Sequence, residues 1–96
     1  MNPDILKKLK EMQKKMVEAQ EILSAKEFFG KHKGVTIVMQ GTRQMIDLDF
    51  NLQDLDDIDD LKSSIVFATN EALKKIEDET KEKMGVFSIG LEGLEI

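Results

Sequence analysis

Ile5, Leu9, Met12, Met16, Ala19 and Leu23 recur at alternating intervals of four and three, and this seam constrains the fold more than any other feature of the chain. Such spacing places all six on one narrow helical face, the a and d positions of a coiled coil held over almost three heptads. Asn2-Pro3 supplies the start, because the Asn side chain can accept a backbone N–H and Pro stands where no donor is needed. The pattern predicts a helix from about Pro3 to Leu23. Lys7, Lys10 and Lys14 project from the opposite side, near 180° from the seam at about 100° per residue.

A second seam, Ile58, Leu61, Ile65, Ala68, Ala72 and Ile76, predicts a second helix. Asp56 or Asp57 suits its N-cap, and Asp59 and Asp60 suit the positive end of its dipole. Glu71–Lys75, Glu77–Lys81 and Glu79–Lys83 stand four apart in the favourable order, which carries the helix to about Met84. Gly85, Gly90 and Gly93 then punctuate a tail whose Phe87, Ile89, Leu91, Leu94 and Ile96 are too apolar for plain disorder, and its structure stays open at this point.

Between the helices the period changes to two. Ala25–Phe29 reads as a short strand, and Gly30-Lys31-His32-Lys33-Gly34 as a turn. Val35–Gln40 and Arg43–Phe50 read as a hairpin closed by Gly41-Thr42, with Gly in the first central position. Pairing Gln40 with Arg43 sets Ile37 against Ile46 and Val35 against Leu48 on one face. Val38 with Met45 and Thr36 with Asp47 then lie on the other. The fold class expected is α+β: a long N-terminal helix, a small antiparallel sheet of about three strands and a long C-terminal helix. The expected organisation is one domain over 1–96, with helix 1–24, sheet 25–50, acidic connection 51–57, helix 58–84 and tail 85–96.

The lengths point to two copies. A first helix of 21–24 residues spans roughly 32–36 Å, whereas a six-residue strand covers about 20 Å. One helix must overhang the sheet with its apolar seam uncovered, and a homodimer covers such a seam at least cost. A chain of 96 residues also buries only about 60–65% of its unfolded surface, so a second copy adds core.

Composition excludes several functions. Without Cys there is no disulfide framework, thiol nucleophile or thiolate metal site. His32 is the single histidine, so it has no partner for a His metal pair or a Ser-His-Asp arrangement. The Asp54–Asp60 run lacks the Gly and terminal Glu of an EF-hand loop and reads as capping and solubility. No phosphate-binding Gly loop or nucleophile elbow appears. We therefore expect no enzyme, cofactor, metal or small-molecule substrate. No apolar run approaches the ~20 residues of a membrane span, and no signal peptide is evident, so a cytoplasmic protein without a membrane partner is expected.

The formal net charge of −5 conceals a polarity. Residues 1–33 carry eight Lys against five acids, while residues 42–60 carry Arg43 against seven Asp. A phosphate-facing surface must come from the helices and the segment near Lys31.

Several segments together are similar to one known family. They are Glu11-Met12-Gln13-Lys14-Lys15-Met16 in the first helix, Gly34-Val35-Thr36-Ile37 opening a strand, and Leu48-Asp49 closing the hairpin. Asn70-Glu71-Ala72-Leu73-Lys74-Lys75-Ile76 continues to Lys81-Glu82-Lys83-Met84-Gly85, and a Gly-rich apolar tail follows. In order and spacing these resemble the YbaB/EbfC family over nearly the whole chain. One departure is Phe50 after Leu48-Asp49, where the family usually has proline. The resemblance implies an intertwined, tweezer-like homodimer that binds double-stranded DNA through projecting helices and serves nucleoid organisation or gene regulation in bacteria. The expected DNA-contacting residues are Lys7, Lys10 and Lys14 on the first helix, Lys31 and Lys33 in the Gly30–Gly34 turn, and Lys74 and Lys81 on the second helix. The alternative reading is a protein-interaction module that grips a polypeptide between paired helices, favoured by the acidic balance and the mixed-charge helices.

Overall fold

The computed structural model describes residues 2–92, with side chains over 2–85. Helix α1 (Pro3–Ala25) leads through Lys26 into β1 (Glu27–His32), β2 (Val35–Gln40) and β3 (Met45–Phe50). A short 3-10 turn (Leu52–Asp54) then precedes helix α2 (Ile58–Glu92). The strands form one antiparallel sheet in the order β1-β2-β3. The α+β architecture with two long helices and three strands is as expected.

Local chemistry starts both helices. Asn2 Oδ1 accepts the Asp4 N–H at 3.0 Å, satisfying one of the donors a helix start leaves unpaired. Asp57 does the same for α2, accepting from Asp60 N at 2.7 Å. Past Met84 the α2 backbone stays helical through Gly85 to Glu92, where the residues predicted a Gly-punctuated tail. A helical glycine costs roughly 1 kcal/mol relative to alanine, which weakens a helix without ending it. Leu94 and Ile96 of that tail lie outside the described residues.

One face of the sheet carries the core. Phe28, Val35, Ile37 and Met39 pack against Ala68, Ala72 and Ile76 of α2, with Leu48, Leu55, Leu61, Ile65 and Leu73 around the margin. Ser64, Ala68 and Ala72 form a buried row of small residues at intervals of four, which lets α2 lie almost on the β1 backbone. A Cβ on Gly30 would come 1.7 Å from the Ala68 carbonyl oxygen. Gly30 is therefore a mid-strand residue where another backbone passes, and not part of a turn. The reversal falls instead on Lys33-Gly34, with Lys33 at φ 49°.

The β2–β3 register also differs from the expected one. The loop has three residues, Gly41-Thr42-Arg43, with Arg43 at φ 70° and its N–H donating to Gln40 O at 2.8 Å. A bulge then leaves Ile46 without a partner, between Met39↔Met45 and Val38↔Asp47. The two extra residues slide β3 by two, so Ile37 faces Leu48 and Val35 faces Phe50. A slip of two preserves the faces, and Leu48 still reaches the core. Met45 and Ile46 are exposed.

β1 and α2 run in opposite directions, tied at successive levels. Lys26 pairs with Glu79, Lys75 Nζ donates to Phe29 O at 2.7 Å, His32 stacks on Phe67, and Lys33 pairs with Asp60. Helix α1 continues away from the sheet, beside the C-terminal half of α2. The end of α1 meets the β2–β3 loop, where Gly41 N donates to Lys26 O at 3.0 Å and a Cβ on Gly41 would strike Leu23 O. From the Lys26–Glu79 level, α2 extends thirteen residues to Glu92. The same rise along α1 reaches about Gln13, so roughly its first ten residues project past Glu92. An α2 of about 52 Å plus this overhang of about 15 Å accounts for the 66 Å long axis.

Candidate nucleic-acid interface

The seam of α1 is covered progressively. Leu23 is buried; Ala19, Met16 and Met12 are half-buried; Leu9 and Ile5 are 39% and 51% exposed. Met12 and Met16 lie outside the helix–sheet core. In α2 the seam from Leu61 to Ile76 lies on the sheet, but Ile58 at its start is 66% exposed.

The candidate lysines occupy three separate places. Lys7, Lys10 and Lys14 lie on the exposed outer side of α1, and none makes a salt bridge among the described residues. Residues 3–16 hold five Lys against Asp4 and Glu11, so the N-terminal part of α1, the projecting arm and the turn that follows it, is basic. Lys8 and Lys15, which the opposite-face argument passed over, are equally exposed and unpaired among the described residues. Helical angle alone marks them, about 60–80° round from the seam.

Lys31 and Lys33 sit at the other end of the molecule. Lys31 lies on the outer sheet face opposite Thr36, while its backbone N–H donates to Glu71 Oε1 at 3.4 Å. Lys33 Nζ donates to Asp60 Oδ1 at 2.8 Å. That bond raises the Lys33 pKa and lowers that of Asp60, which Asp56 N also holds as a carboxylate by donating at 3.0 Å. Lys74 and Lys81 are exposed on the side of α2 away from the sheet. Lys74 lies 3.6 Å from Asp78, and Lys81 donates to Glu77 at 2.9 Å, which raises its own pKa and lowers that of Glu77. Glu79 takes Lys26 as its partner and not the expected Lys83. The three clusters do not merge into one patch within a single copy.

Among the described residues no three or more His, Asp or Glu side chains converge as a metal site, and no helix is long and apolar enough to cross a membrane.

Comparison with known proteins finds relatives over most of the chain. A nucleoid-associated protein of Enterococcus faecalis is 39% identical over 93 residues, covering 93% of this chain and 89% of the relative. One from Lysinibacillus sphaericus is 45% identical over 73 residues, 72% of this chain and 70% of the relative. One from Streptococcus sanguinis is 34% identical over 88 residues, 88% and 89%. The model of the YbaB/EbfC DNA-binding family matches residues 1–91. With the basic arm, the small sheet and the long second helix in the order that the family resemblance implied, the chain belongs to the YbaB/EbfC DNA-binding family.

Proposed function

We propose that this protein is a nucleoid-associated homodimer of the bacterial cytoplasm that holds double-stranded DNA chiefly by its phosphates, without catalysis. The observation that carries the reading is the N-terminal part of α1, residues 3–16, which includes the projecting arm and holds five Lys, two acids and no salt bridge among the described residues. Lysines without acidic partners contact phosphate with no ion pair to break first. Lys33, Lys74 and Lys81 each have a carboxylate within reach and contribute less. Lys31 contributes only if a second copy brings its sheet face beside the arm.

The net charge of −5 does not oppose this. Its acidic share is concentrated at Asp54–Asp60, at the far end of a 66 Å molecule. At physiological salt the Debye length is about 8 Å, so those charges are screened from a duplex at the arm. The exposed Phe29, Met45 and Ile46 of the sheet support pairing with a second copy, which brings two arms to bear on one duplex.

A mobility-shift assay over a salt series tests the reading. The shift weakens steeply as salt rises, and K7E/K10E/K14E lowers the slope of log affinity against log salt by about three. An unchanged slope in a folded variant sinks the assignment of these lysines. The exposed Ile5, Leu6 and Leu9 favour a second reading, in which the arms grip a polypeptide. A purified protein that carries over a stoichiometric polypeptide and no nucleic acid would favour it.

A further inference from the structure

The end opposite the arm bears a notch of about 260 Å3 lined by Leu52, Leu55, Asp56, Asp57, Ile58 and Leu61. Its apolar walls face solvent, with Leu52 69% and Ile58 66% exposed, although both belong to an ordered turn and a helix start. Asp54, Asp56 and Asp59 around it make no salt bridge among the described residues. An apolar floor beneath carboxylates that form no salt bridge among the described residues suits a basic amphipathic helix.

This chain owns such a helix. On the arm, Ile5 and Leu9 are exposed, and Lys8 and Lys15 flank that seam on one side. The arm cannot reach its own notch, because the two stand at opposite ends of a 66 Å molecule. We propose that the notch receives the α1 arm of a second copy, with Ile5 and Leu9 against Leu52 and Ile58, and Lys8 and Lys15 beside the aspartates. A contact between two different surfaces at opposite ends is heterologous; where it is not exchanged reciprocally within one pair, it runs from dimer to dimer and builds longer assemblies. It leaves Lys7, Lys10 and Lys14, on the far side of the helix, free for phosphate. The inference therefore does not depend on DNA binding.

The test is sedimentation of the full chain without DNA, from low salt to about 1 M, where the Debye length falls to about 3 Å. We expect species heavier than a dimer that grow with protein concentration and dissolve at high salt. K8E/K15E and D54K/D56K should each abolish them while keeping helical circular dichroism. An equimolar mixture of the two variants should restore them, because each reversed surface then finds its complement. A wild type that never exceeds a dimer at low salt, or a mixture no heavier than its components, overturns the proposal. D54K/D56K should retain its DNA shift, so loss of assembly and loss of DNA binding are read apart.

Discussion

The two helices carry apolar seams of the same spacing, yet the structure treats them oppositely. In α2 the seam lies on a sheet, and Ala68, Ala72 and Ile76 are buried. In α1 the seam runs off the end of the molecule, leaving Ile5 and Leu9 exposed. Their charges divide likewise. The α2 lysines Lys74, Lys75 and Lys81 are paired with acids one turn away, while those of the α1 arm have no ionic partner among the described residues. A helical period names a face; what covers that face depends on the rest of the fold. The part of the molecule that is satisfied internally is scaffold, and the part left unsatisfied is where binding is to be sought.

Substitutions can break this contrast or sharpen it. The largest effect belongs to the covered seam: Ile76→Ala should cost about 3 kcal/mol in urea unfolding, from lost transfer energy plus the cavity left behind. Next is Gly30→Ala, where the new Cβ would collide with the Ala68 backbone. Overpacking of this kind costs about 2 kcal/mol, and a thermal midpoint unchanged by it would refute the close approach of α2 to β1. Affinity comes third. K7E/K10E/K14E should weaken DNA binding at least about tenfold, or about 1.4 kcal/mol, with the fold intact, and K74E/K81E should weaken it less. Equal losses would erase the distinction between paired and unpaired lysines.

In dilute protein at high salt, where no second copy occupies the α1 arm, Leu9→Ala should lower stability by less than about 0.5 kcal/mol. A loss of about 2 kcal/mol that depends on protein concentration would instead reveal a partner copy over it. The smallest effect is electrostatic. The Lys33 hydrogen bond lowers the Asp60 pKa, so the stabilisation is complete above the ordinary carboxylate range, near pH 4, and is lost as pH falls through the lowered value. Its counterpart, the raised Lys33 pKa, stabilises below the ordinary lysine range and is lost as pH rises through the raised value. Asp60→Asn should flatten the acid limb of the stability profile relative to wild type, and an identical limb would show that the pair contributes nothing.

Much of the fold was legible because it rests on neighbours in the chain. Asn2 and Asp57 cap the helices as their types suggest, and Glu71–Lys75 and Glu77–Lys81 pair one turn apart. The strands alternate as Val35, Ile37 and Met39 require. Gly30 is the exception among the loop glycines, since Gly looks alike whether it serves a turn or a close approach. Gly30 sits mid-strand because Ala68 crosses it, a fact that depends on a residue thirty-eight positions away. The hairpin register failed for a related reason. A loop of two residues and a loop of three followed by a bulge both keep Leu48 inward, so alternation cannot tell them apart.

Of the candidate site, residue type and helical angle already separated Lys7, Lys10 and Lys14 from the seam. Which lysines stay without an acid was not readable, because Lys33 meets Asp60 and Lys26 meets Glu79 across twenty-seven and fifty-three positions. Periods, caps and pairs one turn apart arise from interactions between near neighbours, so they can be read along the chain. Covering of a seam, approach of a helix to a strand and neutralisation of a charge depend on segments that only packing brings together, and these arose from the folded arrangement alone.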